Sequence, residues 1–212
     1  MAEVSTLRSP LLKAWAGTVV VAMGVVLLLP RFFLYVQAKP GLRMPDPLLD
    51  MLPSMDISVP LFVFLYAVVA IAVVVLSRYP LLFLRAAQAY VILLVLRMIT
   101  MAIVTLEPPP GLVELEDPIS TFFYPGQRPF SKDLFFSGHT ATVFLLHLAF
   151  PTRIGRRLLL VATVLVGLAV LVQHVHWTVD VLAAPFFAWL AWWLSARTLA
   201  LSLRDPSRTI AE

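Results

Sequence analysis

Six apolar runs, each close to the length of a bilayer crossing, leave this chain little choice but a bundle of membrane helices. A hydrocarbon core of about 30 Å takes roughly 20 residues of helix. Inside it free backbone groups find no partner, so the crossing segments must be helical. The runs lie at about Ala14 to Leu29, closed by Pro30-Arg31, and Ile57 to Leu76, closed by Ser77-Arg78-Tyr79-Pro80. They continue at Leu81 to Leu106, Leu134 to Phe150, Leu158 to Val175 and Val181 to Leu203. The last two are joined by almost nothing, which predicts a tight helical hairpin near Trp177 to Asp180. The 212 residues are 60% hydrophobic and 13% charged, against about a quarter charged in soluble domains. The expected fold is therefore all-α: a six-helix transmembrane bundle, a single multi-pass domain over residues 1–212, with both termini cytoplasmic. The apolar run after Lys13 is too long for a cleavable signal. There is no cysteine, hence neither disulfide nor thiolate metal site.

Sidedness follows from Lys and Arg in short loops. Arg8, Lys13, Arg78, Arg85, Arg153, Arg156, Arg157, Arg197, Arg204 and Arg208 fall on one side. Arg31, Lys39, Arg43, Arg128 and Lys132 fall on the other, ten against five. The majority side is expected to be cytoplasmic, which places the loop Glu107 to Asp133 and the turn after His176 on the non-cytoplasmic side (periplasmic, extracellular or luminal). The net charge of +4 is spread over these loops, which gives no nucleic-acid signal.

Two polar clusters interrupt the oil: Ser137-Gly138-His139-Thr140 and His174-Val175-His176-Trp177-Thr178-Val179-Asp180. Ionisable groups at such places are costly unless paired or functional. Six-helix counting brings both clusters to one membrane face in either orientation. Ser137 is placed as an N-cap and Gly138 lets a ligand approach the backbone. The helix start offers N–H groups to phosphate oxygens. His176 and Asp180 are four apart, on one face if the helix runs through Trp177. A carboxylate on one imidazole nitrogen fixes the tautomer and leaves the other free to attack. The catalytic set is then His176 as nucleophile, Asp180 as its orienting carboxylate and His139 as general acid, a role worth about 10²–10⁴-fold. The catalytic region spans about 97–185.

Arg97, well inside the third run, either snorkels toward Glu107 or faces the bundle to hold phosphate or balance Asp180. With Arg128, Ser137 and Gly138 it completes the expected substrate-binding set. Lys132 reads as a solvated loop charge, and so do Glu114, Glu116 and Asp117. His147, two turns below His139, reads as interhelical packing. His174 should point away from His176. Trp177, Trp189, Trp192 and Trp193 read as interfacial belt and core.

Asp133-Leu134-Phe135-Phe136-Ser137-Gly138-His139-Thr140 and His174-Val175-His176-Trp177-Thr178-Val179-Asp180-Val181 resemble the two hallmark motifs of the sphingomyelin synthase family. That family is a branch of the type 2 phosphatidic acid phosphatase superfamily. Arg97-Met98-Ile99-Thr100-Met101 with Val104-Thr105-Leu106 is similar to its third-helix signature, and Pro45-Asp46-Pro47-Leu48-Leu49-Asp50 to its first outer loop. The resemblance covers roughly Pro40 to Ala196. It implies a six-helix bundle with an exoplasmic active site that moves a phosphorylated head group from a glycerophospholipid to ceramide, or hydrolyses the lipid. It also implies catalysis by His139, His176 and Asp180. Ser131 and Lys132 stand where the family has Cys-Gly, and Trp177 where it has Tyr. The outer loop is shorter and no sterile-alpha-motif-like extension is expected. Thr121 and Val170 stand where the wider superfamily has a phosphate-binding Lys and Arg, although Arg128-Pro129 is present.

The expected function is a phospholipid head-group phosphotransferase or phosphodiesterase working through a phosphohistidine. The alternatives are a lipid phosphomonoester or diphosphate phosphatase, and a non-enzymatic lipid-binding or transport protein. Expected partners are the membrane, phospholipid, and ceramide or diacylglycerol as second lipid. Nucleic acid is not expected, and a homo-oligomer is compatible with the chain. No cofactor and no metal is expected.

Overall fold

Helix α1 (Ala2–Ala38) runs through the two prolines Pro10 and Pro30 and is followed by α2 (Ser58–Leu76) and α3 (Pro80–Ile103). Then come α4 (Gly138–Ala149), α5 (Arg153–Val172) and α6 (Thr178–Ser202). The protein, seen in a computed structural model, is described over residues 2–113 and 131–203, with side chains from residue 10 onward. All-helical architecture holds throughout the described residues, which contain no strand.

Five helices are long and apolar enough to cross a membrane: α1 from Pro10, α2, α3, α5 and α6. The fourth expected crossing, Leu134 to Phe150, is shorter than the sequence suggested. Helix α4 has only 12 residues, about 18 Å. Its start is set by the cap at Ser137 and by Phe135, whose φ of 97° breaks the helix ahead of it. Its end is set by extended Phe150 before Pro151. A second correction concerns Pro30, where the helix does not stop. Proline removes one ladder hydrogen bond, a loss membrane helices tolerate when neighbouring groups re-satisfy the freed carbonyl, and α1 reaches Ala38. The last connection, from Gln173 to Trp177, is as short as expected but lies three residues earlier in the chain.

α4 is the centre of the bundle. On one side Val143 packs with Leu61, Phe62 and Leu65 of α2 and with Ala162, Val166 and Val170 of α5. On the other, Ala141 and Leu145 meet Ala89 and Leu93 of α3 and Ala184, Ala188 and Ala191 of α6. The alanine row on α6 recurs at helical spacing, and small residues let helix backbones approach closely. Lipid-directed positions such as Val59, Val63, Leu158 and Leu182 are exposed, as a bilayer requires. At the bundle end where α1 begins and α6 stops, Arg85 stacks 3.8 Å from the ring centroid of Trp192.

The opposite end holds the connecting loops, and these are tied together. The Leu42 and Glu107 backbones pair, with Leu42 N–H donating to Thr105 O at 2.9 Å. Lys132 Nζ meets Glu107 Oε1 at 2.8 Å and Lys39 O at 2.7 Å, so this lysine is an internal strut rather than a solvated charge. That ion pair, with the Gly41 N–H, holds the Glu107 carboxyl below its ordinary range.

Candidate active site

Both polar clusters come to this loop-bearing end and are joined there by backbone. Ser137 N–H donates to the Asp180 carbonyl at 3.0 Å. Ser137 caps α4 as expected, its hydroxyl accepting from Thr140 N–H at 3.4 Å and Thr140 Oγ1 at 3.0 Å. His139 follows in the first turn, half-buried, its ring edge-on to Phe62 of α2 at 5.8 Å.

His176 and Asp180 pair, but not as two residues on one helical face. Helix α6 begins at Thr178 with Trp177 as its N-cap. Asp180, in the third helical position, reaches back over the helix start. Its Oδ2 accepts from Trp177 N–H at 3.2 Å and faces His176 Nδ1 at 3.3 Å. The spacing of four thus works through a carboxylate that folds back onto the N-cap N–H, one half of a capping box. Both side chains are buried, Asp180 completely. Its second oxygen, Oδ1, accepts no hydrogen bond among the described residues. Such an orphan is expensive and calls for a functional explanation.

The first turn of α6 has a second carboxylate, which sequence reasoning did not single out. Asp46, in the α1–α2 loop, accepts from Thr178 N–H at 2.6 Å, Thr178 Oγ1 at 2.9 Å and Leu49 N–H at 3.1 Å. Burial pushes its pKa up, but the hydrogen bonds from Thr178, Leu49 and Leu48 outweigh this and hold it below the ordinary 3.8. Asp46 is the distant cap that Trp177 cannot provide. The sequence cues are its setting, Pro45-Asp46-Pro47, which marks a rigid turn, and the likeness of that stretch to a family outer loop, neither of which names its partner.

Arg97 is buried and, among the described residues, pairs with neither of the residues proposed for it, Glu107 and Asp180. Its Nε and NH2 meet Asp133 Oδ1 at 2.9 and 2.7 Å, and NH2 also donates to Asp133 O at 2.9 Å. NH1 donates to the Phe136 carbonyl. The guanidinium therefore grips the turn that leads into α4, including strained Phe135. Gly138 sits against it: a Cβ there would lie 3.1 Å from Arg97 Cζ. A side chain at position 138 would therefore press on the guanidinium, which would have to give by a few tenths of an ångström. Arg128, Glu114, Glu116 and Asp117 lie outside the described residues.

The remaining histidines serve the frame. His174, with a left-handed φ of 55°, points into the loops, Nδ1 2.9 Å from Pro110 O and Nε2 3.2 Å from Leu52 O. His147 Nδ1 lies 2.6 Å from Arg156 O at the far end of α4. Trp177 is core, its Nε1 donating to Glu107 O at 3.0 Å.

A cavity of about 610 Å³ runs between α1, α2, α3 and α4. Its polar end is formed by Arg97, Asp133, Gly138, His139 and Thr142. From there the wall is almost wholly apolar, following Leu65, Val69 and Val73 down α2 and Leu94, Ala87 and Phe83 down α3. His139 belongs to this wall; His176 and Asp180 do not.

The described helices make a multi-pass membrane protein that carries a His176–Asp180 pair and a helix-start histidine, His139, at one bundle end. Residues 81–203, more than half the chain, match the PAP2 superfamily, and the chain belongs to it. Its members are phosphatases and phosphotransferases. No curated protein matches the chain.

Proposed function

We propose that the protein transfers or hydrolyses the phosphorylated head group of a phospholipid, in the manner of the sphingomyelin synthase branch. The observation that carries this reading is the pair of links at one bundle end: His176 Nδ1 to Asp180 Oδ2 at 3.3 Å, and Ser137 N–H to Asp180 O at 3.0 Å. In this reading His176 Nε2 is the nitrogen that attacks, and the second link ties the turn that carries His139 to the residue that pairs with His176. The 3.3 Å separation is long for a hydrogen bond, as catalytic contacts often are before substrate binds.

In this mechanism His176 Nε2 attacks phosphorus, the bond from phosphorus to the diacylglycerol oxygen breaks, and His139 gives that oxygen its proton. Asp180 stabilises the cationic imidazole. A lipid hydroxyl or water then attacks the head-group phosphohistidine, passes its proton to His139, and the P–N bond breaks. The amphipathic cavity supports a lipid substrate, with the phosphate near His139 and the apolar part along α2 and α3. The charge bias of the loops supports a non-cytoplasmic site.

The test is purified protein with phosphatidylcholine or phosphatidylethanolamine, with and without ceramide. Release of diacylglycerol, abolished in His176→Ala, is expected. Unimpaired turnover by His176→Ala would remove the nucleophile. Superfamily membership favours one second reading, a phosphatase of lipid phosphomonoesters. Inorganic phosphate release without diester cleavage would establish it in place of the first.

A further inference from the structure

We propose that the cavity is a slot for a lipid chain, and that Phe83 and Leu76 at its far end set the longest chain it takes. This rests on the lipid reading above and adds a specificity determinant to it.

The dimensions carry the argument. From Arg97 at the polar end to Phe83 is fourteen residues of one helix, about 21 Å. That is the length of an extended chain of roughly sixteen to eighteen carbons. The volume, about 610 Å³, is ample for a chain of that length, so the length of the slot and not its volume sets the limit.

The far end is plugged. Leu76 is 1% exposed and Ala86 7%, and with Ala149 they form a buried cluster against Leu82, Phe83 and Trp192. Phe83 is further braced edge-on by Trp15 of α1, at 5.3 Å. The wall above the plug has no charged group until Arg97, and Tyr66 and Tyr90 bring it two hydroxyls. A chain longer than the slot would have to displace the plug, and overpacking a formed core is destabilising.

The test uses two variants with opposite expectations. Phe83→Ala deepens the slot. Ala87→Leu, one turn nearer His139, shortens it by about 6 Å. Each purified full-length protein is examined for the chain lengths of lipid that co-purifies from the same membranes, and for relative turnover of phosphatidylcholines of graded chain length. The wild type should lose turnover beyond its limit by about tenfold or more for each poorly accommodated step. The limit should move to longer chains in Phe83→Ala and to shorter ones in Ala87→Leu, with the co-purified lipids shifting alike. Unchanged profiles with turnover intact would overturn the slot and leave the reaction standing. Shifted co-purified lipids without head-group release from any substrate would support the slot and overturn the reaction.

Discussion

Replacing Asp46 with alanine should cripple a reaction whose proposed residues it never touches. The carboxylate closes the start of α6 from a loop more than 130 positions earlier. Its loss leaves Thr178 N–H, Thr178 Oγ1 and Leu49 N–H without the acceptor that now lies 2.6, 2.9 and 3.1 Å away. Removing a helix cap costs about 0.5–2 kcal/mol, and a buried donor left unmet costs about 1–3 kcal/mol, so a total near 2 kcal/mol is expected. The larger effect should be on turnover. Asp180 sits two residues beyond Thr178 and aligns both His176 and the Ser137 N–H. Displacement of about 1 Å at such a site can cost about 100-fold. Asp46→Ala should therefore lower kcat by about ten- to a hundredfold with a smaller change in KM. Asp46→Asn, which keeps a cap oxygen, should recover much of the loss. Diacylglycerol release at a temperature where thermal unfolding in detergent shows both variants folded is the assay. Full kcat in folded Asp46→Ala would refute the idea that the outer loop positions the catalytic turn.

Gly138→Ala should reduce turnover and stability together, because the new methyl meets Arg97 Cζ at 3.1 Å; Gly138→Ala at wild-type activity would show that the guanidinium yields freely. Arg97→Lys should lower thermal stability by about 1–3 kcal/mol, since an ammonium cannot reproduce the forked contacts to Asp133 and the Phe136 carbonyl; an unchanged melting midpoint would contradict the grip. Folding lowers the pKa of Asp46 from 3.8 and of Glu107 from 4.5. Their stabilisation is accordingly complete above these ordinary values and lost as pH falls through the lower folded ones. Thermal midpoints measured downward from pH 6 should fall most steeply below about pH 4, and less steeply in Asp46→Asn.

The apolar runs announced the helices, because a bilayer leaves the backbone no alternative, and five of six emerged as spans. Helix α4 was overdrawn. Hydropathy counts Leu134, Phe135 and Phe136 as membrane residues, while the Arg97 grip and the φ of Phe135 keep them out of the helix. The site was legible where chemistry is local: Ser137 as cap, His176 with Asp180, His174 turned aside. It was illegible where a partner lies far along the chain. Nothing in the spacing of Asp46, Asp133 or Glu107 says that they meet Thr178, Arg97 and Lys132. The helical-face argument for His176 and Asp180 reached the right pair by the wrong geometry, because a carboxylate at the third helical position that reaches back past the N-cap meets the residue four before it, the interval of a helical face.

The account stands or falls on the phosphorylated histidine. Protein mixed with phospholipid labelled in its phosphate should be quenched in base, digested and mapped by mass spectrometry. Label on His176, stable to base and lost in acid, absent from His176→Asn and retained longer in His139→Ala, is the predicted result. Label on another residue, or turnover with no labelled residue in any variant, would contradict it.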